Sequence, residues 1–343
     1  MSAKPSLMEV EAGEGADAVR RQQELHAVYR DAANRLRELS PPLVLTCARG
    51  SSDHAATFAR YLIEFRLRLP VLSQSPSIGS IFGAVSDRLA GAVALMISQS
   101  GRSPDLVRTA KACRAVGATV VALVNDPDSP LAEAAHIVLP LAAGPERSVA
   151  ATKSYIATLA ALMRLVGEWA GDDALAVEIA ALPDVLDAAW RLDWAAAVPL
   201  LCDRQSLYTL GRGLGLGVAQ EAALKFKETA GLHAEAFSTA EVAHGPMALA
   251  HDGFPILLFP PRAPLADGLS EQVRQFRGRG AIVISAGAGF GAGLELPLPE
   301  GLGEVSAPVA MIQSFYRLAN AVALARGFDP DRPPFLNKVT KTR

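Results

Sequence analysis

The sequence predicts an α/β protein made of two open, parallel-sheet domains, and three observations carry that expectation. Short continuous apolar runs, of the kind that form strands buried on both faces, alternate with helical patterns over the first 170 residues. The series lapses around residues 182–200 and then restarts. Paired landmarks also recur at one offset: Arg49-Gly50 returns as Arg212-Gly213 and Gly117-Ala118 as Gly280-Ala281, each displaced by 163 positions, which points to an internal duplication.

Taken in order, residues 16–39 read as one amphipathic helix with Val19, Leu25, Val28, Ala32, Leu36 and Leu39 on one side, ended by Ser40-Pro41-Pro42. Residues 43–47 form the first strand, and ARGSSDHA turns directly into a helix through Phe58, Leu62 and Phe65. Residues 91–97 are a second strand, SQSGRSPD a second small-residue turn and 106–116 a second helix. A strand over 119–124 stops at Asn125-Asp126-Pro127; a strand over 137–141 and a long apolar helix over 149–170 follow. Residues 182–200 form a proline-flanked helical connector. The second series runs strand 206–210, turn GRGLGLG, helix 218–230, strand 254–259, a helix within 268–278 and strand 281–285.

With 343 residues, half of them apolar, the chain can bury two sizeable cores. A net charge of −2 with both signs interspersed offers no basic stripe for nucleic acid and no polybasic membrane face, so a small neutral or anionic ligand is expected. Cys47, Cys113 and Cys202 lie far apart without CxxC spacing, which fits a reducing cytoplasm better than a disulfide framework or a thiolate metal site. The N-terminus carries acids and lacks an apolar signal core, and runs such as residues 92–97 fall well short of the ~20 residues that span a bilayer.

Open parallel sheets bind ligands beyond the carboxyl ends of their strands, where helix N-termini point. The turn Ser98-Gln99-Ser100-Gly101-Arg102-Ser103-Pro104-Asp105 fits that place as an anion cradle. Its hydroxyls and N–H groups can face inward, Gly101 lets the chain come close, and Ser103 is an N-cap candidate with Pro104 at the first helical position. Gly50-Ser51-Ser52 adds hydroxyls at a neighbouring strand end. In the second half Phe259-Pro260-Pro261-Arg262 lacks amide donors and hydroxyls, so only the first half is expected to hold the anion. The second half instead concentrates charge between residues 221 and 246. Glu221, Lys225 and Glu228 share a helix face, and beyond Gly231 come His233, Glu235, Glu241 and His244.

Sharper motifs fail. The glycines of GRGLGLG miss the GxGxxG register, which argues against a nicotinamide or flavin cofactor. His233-Ala234-Glu235 is not followed by PCxxC, so zinc deaminase chemistry is not expected, and no phosphate-binding P-loop is present.

These motifs resemble the sugar isomerase (SIS) domain family, in particular the isomerase half of glucosamine-6-phosphate synthase, from about residue 40 to the C-terminus. ARGSSDHA resembles that family's CGTSxHA, SQSGRSPD its SQSGxTxD, VAATKSY its VASTKxF, and EAALKFKE…HAEAFSTAEVAHGP its EGALKLKE…HAEAxxxGExKHGP. The resemblance implies two tandem SIS domains with flavodoxin-like sheets: residues 1–40 as an N-terminal helix, 41–180 as a phosphate-binding domain, 200–328 as a catalytic domain and 329–343 as an active-site tail. It implies phosphate and sugar contacts at Ser51, Ser52, Ser98, Gln99, Ser100, Ser103 and position 151, where Ala151 replaces the family's serine. It further implies Glu228 as the carboxylate moving a proton between C1 and C2, with Lys225 nearby. His244 would assist ring opening from the neighbouring subunit of a homodimer, and Lys338 would be a lysine able to form a Schiff base.

Ser2 stands where the synthase has its catalytic cysteine, and only about forty residues precede the first strand. The expectation is therefore a cytoplasmic amino-sugar-phosphate deaminase needing no cofactor or metal, glucosamine 6-phosphate plus water giving fructose 6-phosphate plus ammonia. The alternatives are a fructosamine-phosphate deglycase, a glutamine-independent phosphosugar isomerase, or a non-catalytic sugar-phosphate sensor.

Overall fold

A computed structural model describes residues 5–338 of the chain, so residues 339–343 of the expected C-terminal tail lie outside the described residues. The chain forms two compact units. Of the described residues, the first contains Gly15–Glu146, Lys153–Leu182 and 337–338; the second contains 5–14, Arg147–Thr152 and Pro183–Leu336.

Each unit is built on a five-stranded sheet. In the first, β1 (Val44–Cys47), β2 (Val71–Ser73), β3 (Val93–Ser98), β4 (Thr119–Val124) and β5 (Ile137–Pro140) lie in the order β2-β1-β3-β4-β5. In the second, β6 (Ser206–Gly211), β7 (His233–Ser238), β8 (Pro255–Leu258), β9 (Ile282–Ala286) and β10 (Leu294–Leu296) lie in the order β10-β9-β8-β6-β7. Counted from its own first strand, this is the same 2-1-3-4-5 order, and every pairing is parallel, as in flavodoxin-like folds. Both faces of β1 and β3 are buried, which is why their sequences are apolar runs rather than alternating patterns. Met96, Leu106, Cys113 and Val120 anchor one core, and Tyr208, Leu258, Val273 and Phe276 the other.

The duplication is visible in the backbone. Helices Ser51–Leu67 and Leu214–Ala230 are both 17 residues long and begin 163 positions apart. Gly50 precedes the first with φ 57°, ψ −133°, and Gly213 the second with φ 60°, ψ −129°, a conformation open only to glycine. Arg68 and Gly231 end the two helices in the same left-handed conformation.

Several expected elements are corrected. The single helix over 16–39 is two, Gly15–Gln23 and His26–Leu39, preceded by Leu7–Gly13 in the other unit. The buried Gln22 amide donates to the Leu141 and Ala157 carbonyls, and Tyr29 Oη donates to the Pro140 carbonyl. These anchors turn Tyr29 inward and leave Val28 exposed. The helix expected from 149 starts at Lys153, because the Glu146 carboxylate accepts the Ser154 N–H and holds the chain short of it. The connector begins inside helix Asp173–Arg191, which contains Pro183, and continues through the 3₁₀ turn Ala195–Ala197 into the short helix Val198–Leu201; the helix expected from 218 starts at Leu214. In the charged stretch after Gly231, residues 233–238 form a strand, β7, and Glu241–His244 a 3₁₀ turn. Strands β2 and β10 and helix Ser306–Ala325 were not expected.

Among the described residues the three cysteines are unpaired, and burial pushes the Cys47 thiol up to about 12, so it is inert at neutral pH. No described helix is long and apolar enough to cross a membrane, and no group of three or more His, Cys, Asp or Glu among the described residues could hold a metal ion.

Candidate active site

In the first unit the serine turns sit at the carboxyl ends of the neighbouring strands β1 and β3. Gly101 has φ 62°, and a Cβ there would lie 2.0 Å from Ser129 Oγ, so the tight turn requires glycine for both conformation and space. Its N–H donates to Ser98 Oγ at 3.1 Å, which places the buried Ser98 as a brace inside the turn. Ser100 Oγ accepts the Arg102 N–H at 3.3 Å. Ser103 occupies the N-cap position of helix Pro104–Ala115 with Pro104 in its first turn, as expected, although its hydroxyl makes no capping bond. Gln99 and Ser52 are half-buried, and Ser51 and Ser52 open helix Ser51–Leu67. Two helix N-termini therefore meet the serine hydroxyls with their N–H dipoles, an arrangement suited to an oxyanion.

Sequence reasoning missed what joins these turns. Asp105 is fully buried and accepts Arg49 Nε at 2.9 Å and Arg49 Nη2 at 2.8 Å, while its other oxygen accepts the Leu106 N–H at 2.9 Å. Arg49 follows β1 and Asp105 follows β3, so the pair clamps one turn to the other and spends the arginine's charge internally. Arg49→Met should strand the carboxylate. Because the arginine is 47% exposed and water can reach the pair, the expected cost is about 1–3 kcal/mol in chemical denaturation. The double variant Arg49→Met, Asp105→Leu should recover most of that loss.

The same unit holds Lys338. Its ammonium lies 3.0 Å from Glu146 Oε2, whose buried carboxylate also accepts the Ser154 N–H at 3.1 Å and the Ser154 hydroxyl at 2.6 Å.

In the second unit, the helix face 221-225-228 becomes an ion cluster. Lys225 is fully buried, with its Nζ 3.4 Å from Glu221 Oε1 and hydrogen-bonded to Glu228 Oε2. Burial pulls this ammonium's pKa down, but the two carboxylates outweigh it, and the net shift is upward. Lys225 therefore stays charged, held between the carboxyl groups of Glu221 and Glu228. Glu221 is sealed from water with Tyr316 Oη 3.5 Å away, whereas the Glu228 side chain is 22% exposed, so a reactant can reach only the latter. Glu221 was given no role from sequence, but it is what keeps Lys225 paired independently of Glu228.

The loop 147–152 belongs to this unit. Buried Glu11, another residue that sequence reasoning did not single out, accepts the Arg147 N–H at 2.6 Å and the Ser148 N–H at 2.9 Å, and Ala151 is half-buried in the same loop. His244 is exposed in the 3₁₀ turn Glu241–His244, and its imidazole has no hydrogen-bond partner among the described residues. Glu241 is likewise exposed, and His233 and Glu235 point outward from β7.

A repeated 2-1-3-4-5 sheet, a serine-rich turn at a strand end in one unit and a carboxylate–ammonium–carboxylate helix in the other define a class of tandem α/β proteins. The chain belongs to the SIS domain family, which matches residues 42–166 and 200–286. It is 34% identical over 302 residues to the glutamine–fructose-6-phosphate aminotransferase (isomerizing) of Pyrobaculum aerophilum, covering 84% of this chain and 50% of that protein. The chain thus spans about half the length of the curated relatives it matches. A solved structure from Silicibacter pomeroyi DSS-3, assigned by name to the phosphosugar isomerases, is 41% identical with a TM-score of 0.90 over 95% of this chain and 100% of that one. The C-terminal domain of glucosamine-fructose-6-phosphate aminotransferase from Francisella tularensis is 26% identical with a TM-score of 0.86, covering 96% and 99%.

Proposed function

We propose that the protein is an aldose–ketose isomerase of amino-sugar phosphates that acts as a deaminase, converting glucosamine 6-phosphate and water to fructose 6-phosphate and ammonia. The observation that carries this reading is Glu228: the one water-accessible carboxylate of a cluster whose other carboxylate and whose ammonium are sealed. A carboxyl group held by a hydrogen bond and open on one side is the group that a C2-to-C1 proton transfer needs. The relatives' names support the substrate class, since they pair fructose 6-phosphate with amino transfer.

In this reading the serine turns bind the phosphate, and His244 assists opening of the sugar ring. Glu228 removes the proton from C2 as the C1 carbonyl oxygen is protonated, giving an enolamine, and returns the proton to C1. The C2 imine so formed adds water, and the carbinolamine expels ammonia to leave the ketose. Atoms balance without oxidant, reductant or cofactor. Lys225 fixes the orientation of Glu228, and Glu146 positions Lys338, which is available for an imine with the ketose or as a base.

A coupled assay with purified protein should release ammonia and fructose 6-phosphate in equal amounts from glucosamine 6-phosphate. Silence towards glucosamine 6-phosphate, its galactosamine epimer and fructosamine phosphates would remove the deaminase reading. The panel includes epimers because Ala151 lacks the hydroxyl that the family's serine offers the sugar. Ser100→Ala combined with Ser103→Ala should raise KM with little change in kcat, since phosphate contacts hold ground and transition states alike; an unchanged KM would count against the cradle. For a homodimer that shares His244 across subunits, mixing the inactive Glu228→Gln and His244→Ala variants should restore part of the activity.

A further inference from the structure

The second unit repeats the 2-1-3-4-5 order, so its connections diverge towards opposite sheet edges between β6 and β8, the counterparts of β1 and β3. A sheet of this kind takes its ligand in the crevice beyond the carboxyl ends of those two strands. Pro260 and Pro261 deny this crevice a copy of the serine turn, yet it keeps groups of another kind that bind anions. Arg212 directly follows β6, and Arg262 lies in the loop after β8.

The duplication shows why Arg212 behaves unlike its counterpart. Arg49 spends its charge on Asp105, but at the same offset of 163 positions Asp105 is replaced by Gly268, which has no side chain to offer. Arg212 is half-buried and Arg262 exposed, and the guanidinium of neither has a hydrogen-bond or ion-pair partner among the described residues. No side-chain nitrogen of Arg212 is sealed from water, so a solute can reach the charge.

Two cavities meet at Arg212 and Leu265. The smaller, about 30 Å³, is bordered by both arginines and by Glu304, which has a partner of its own. The larger, about 250 Å³, is bordered by exposed Asp267 and by Glu271, whose carboxylate accepts from Arg274 Nε at 2.9 Å. The loop after β8 folds onto the turn after β6, since a Cβ on Gly213 would lie 2.6 Å from Leu265 Cδ1. Two guanidinium groups on one small cavity repel each other until a counter-charge joins them, and together they suit a phosphate dianion better than a single carboxylate. The acids beside the larger cavity disfavour a second anionic group there.

We propose that this crevice is a second ligand site. It takes the phosphate of a small phosphate ester on Arg212 and Arg262, with an organic part free of further negative charge in the larger cavity. Its donors are guanidinium groups of the second unit rather than the serine turns of the first, so the site stands independently of the reaction proposed above.

Thermal unfolding of the full chain at constant ionic strength tests it, with inorganic phosphate, glycerol phosphate and acetate as probes. In the Ser100→Ala, Ser103→Ala background the two phosphates should still raise Tm by a few degrees, because binding favours the folded chain by mass action, and acetate should raise it less. Adding Arg212→Met or Arg262→Met should abolish that remaining shift. Neither guanidinium has a partner to lose, so the Tm without ligand should stay within about a degree of the parent. Arg262→Met, in an exposed loop, supplies the answer if Arg212→Met does not fold. The proposal is overturned if the serine variant shows no phosphate-dependent shift, if the shift survives either arginine substitution, or if acetate matches the phosphates. Should the serine turns bind no phosphate, wild type and serine variant would shift equally and the arginine variants would still abolish the shift, so the two readings fail separately.

Discussion

Glu228→Gln should lower turnover about 10²–10⁴-fold, the usual contribution of a positioned acid–base group, while ligand-induced thermal stabilisation by the sugar phosphate persists. The substitution is nearly isosteric, and the carboxamide oxygen can still accept from Lys225. Lys225 also keeps Glu221 at 3.4 Å, so the residual pair is neutral and no buried charge is stranded. The fold should survive and only the proton carrier should be missing. Retained turnover would show that another group moves the proton. If instead the variant were inert in assays but the wild type were inert as well, with both stabilised by ligand, the protein would be a sensor.

The second large effect is on stability. Lys225→Met leaves Glu221 and Glu228 facing each other without their cation, one of them sealed from water. Breaking a buried ion cluster by removing one partner costs about 3–5 kcal/mol, against ~0–1 kcal/mol for a surface pair. Urea denaturation should show that loss, and the double variant Lys225→Met, Glu221→Gln should recover a large part of it. The pH dependence has a definite sign. The folded-state pKa of Lys225 is raised, so its contribution is fully present below the ordinary lysine value of about 10.4 and fades only as pH climbs through the higher folded value. Wild type should lose this contribution only in strong alkali, and Lys225→Met should lack that alkaline step. Equal stability of variant and wild type at neutral pH would show that the cluster is not an energetic unit.

The recognisable elements were those whose local sequence matched their environment. β1, β3 and β4 could be read because a strand covered on both faces must be apolar throughout. β2 and β10 could not: each has only three residues and lies at a sheet edge, half exposed, where no strong pattern is imposed. β7 was obscured by exposed His233 and Glu235. The division of 16–39 into two helices has no glycine or proline to announce it. It follows from the hydrogen bonds of Gln22 and Tyr29 to carbonyls more than a hundred residues away.

The candidate site divides in the same way. Serine and glycine chemistry at strand ends, and the 221-225-228 spacing on one helix face, are local properties and were visible in the chain itself. So was the duplication, because a repeated backbone conformation at Gly50 and Gly213 demands the same residue type twice. The clamp of Arg49 on Asp105, the hold of Glu11 on residues 147–148 and the docking of Lys338 on Glu146 are pairings between residues 56, 136 and 192 positions apart. Composition and spacing determined the fold class and the kinds of chemistry available. Only the tertiary structure decided which charges are paired, which are sealed and which, like Glu228, stay open to water. The physical reason is that a charge's role depends on its partner and its access to water, and both are set by contacts that distance along the chain does not encode.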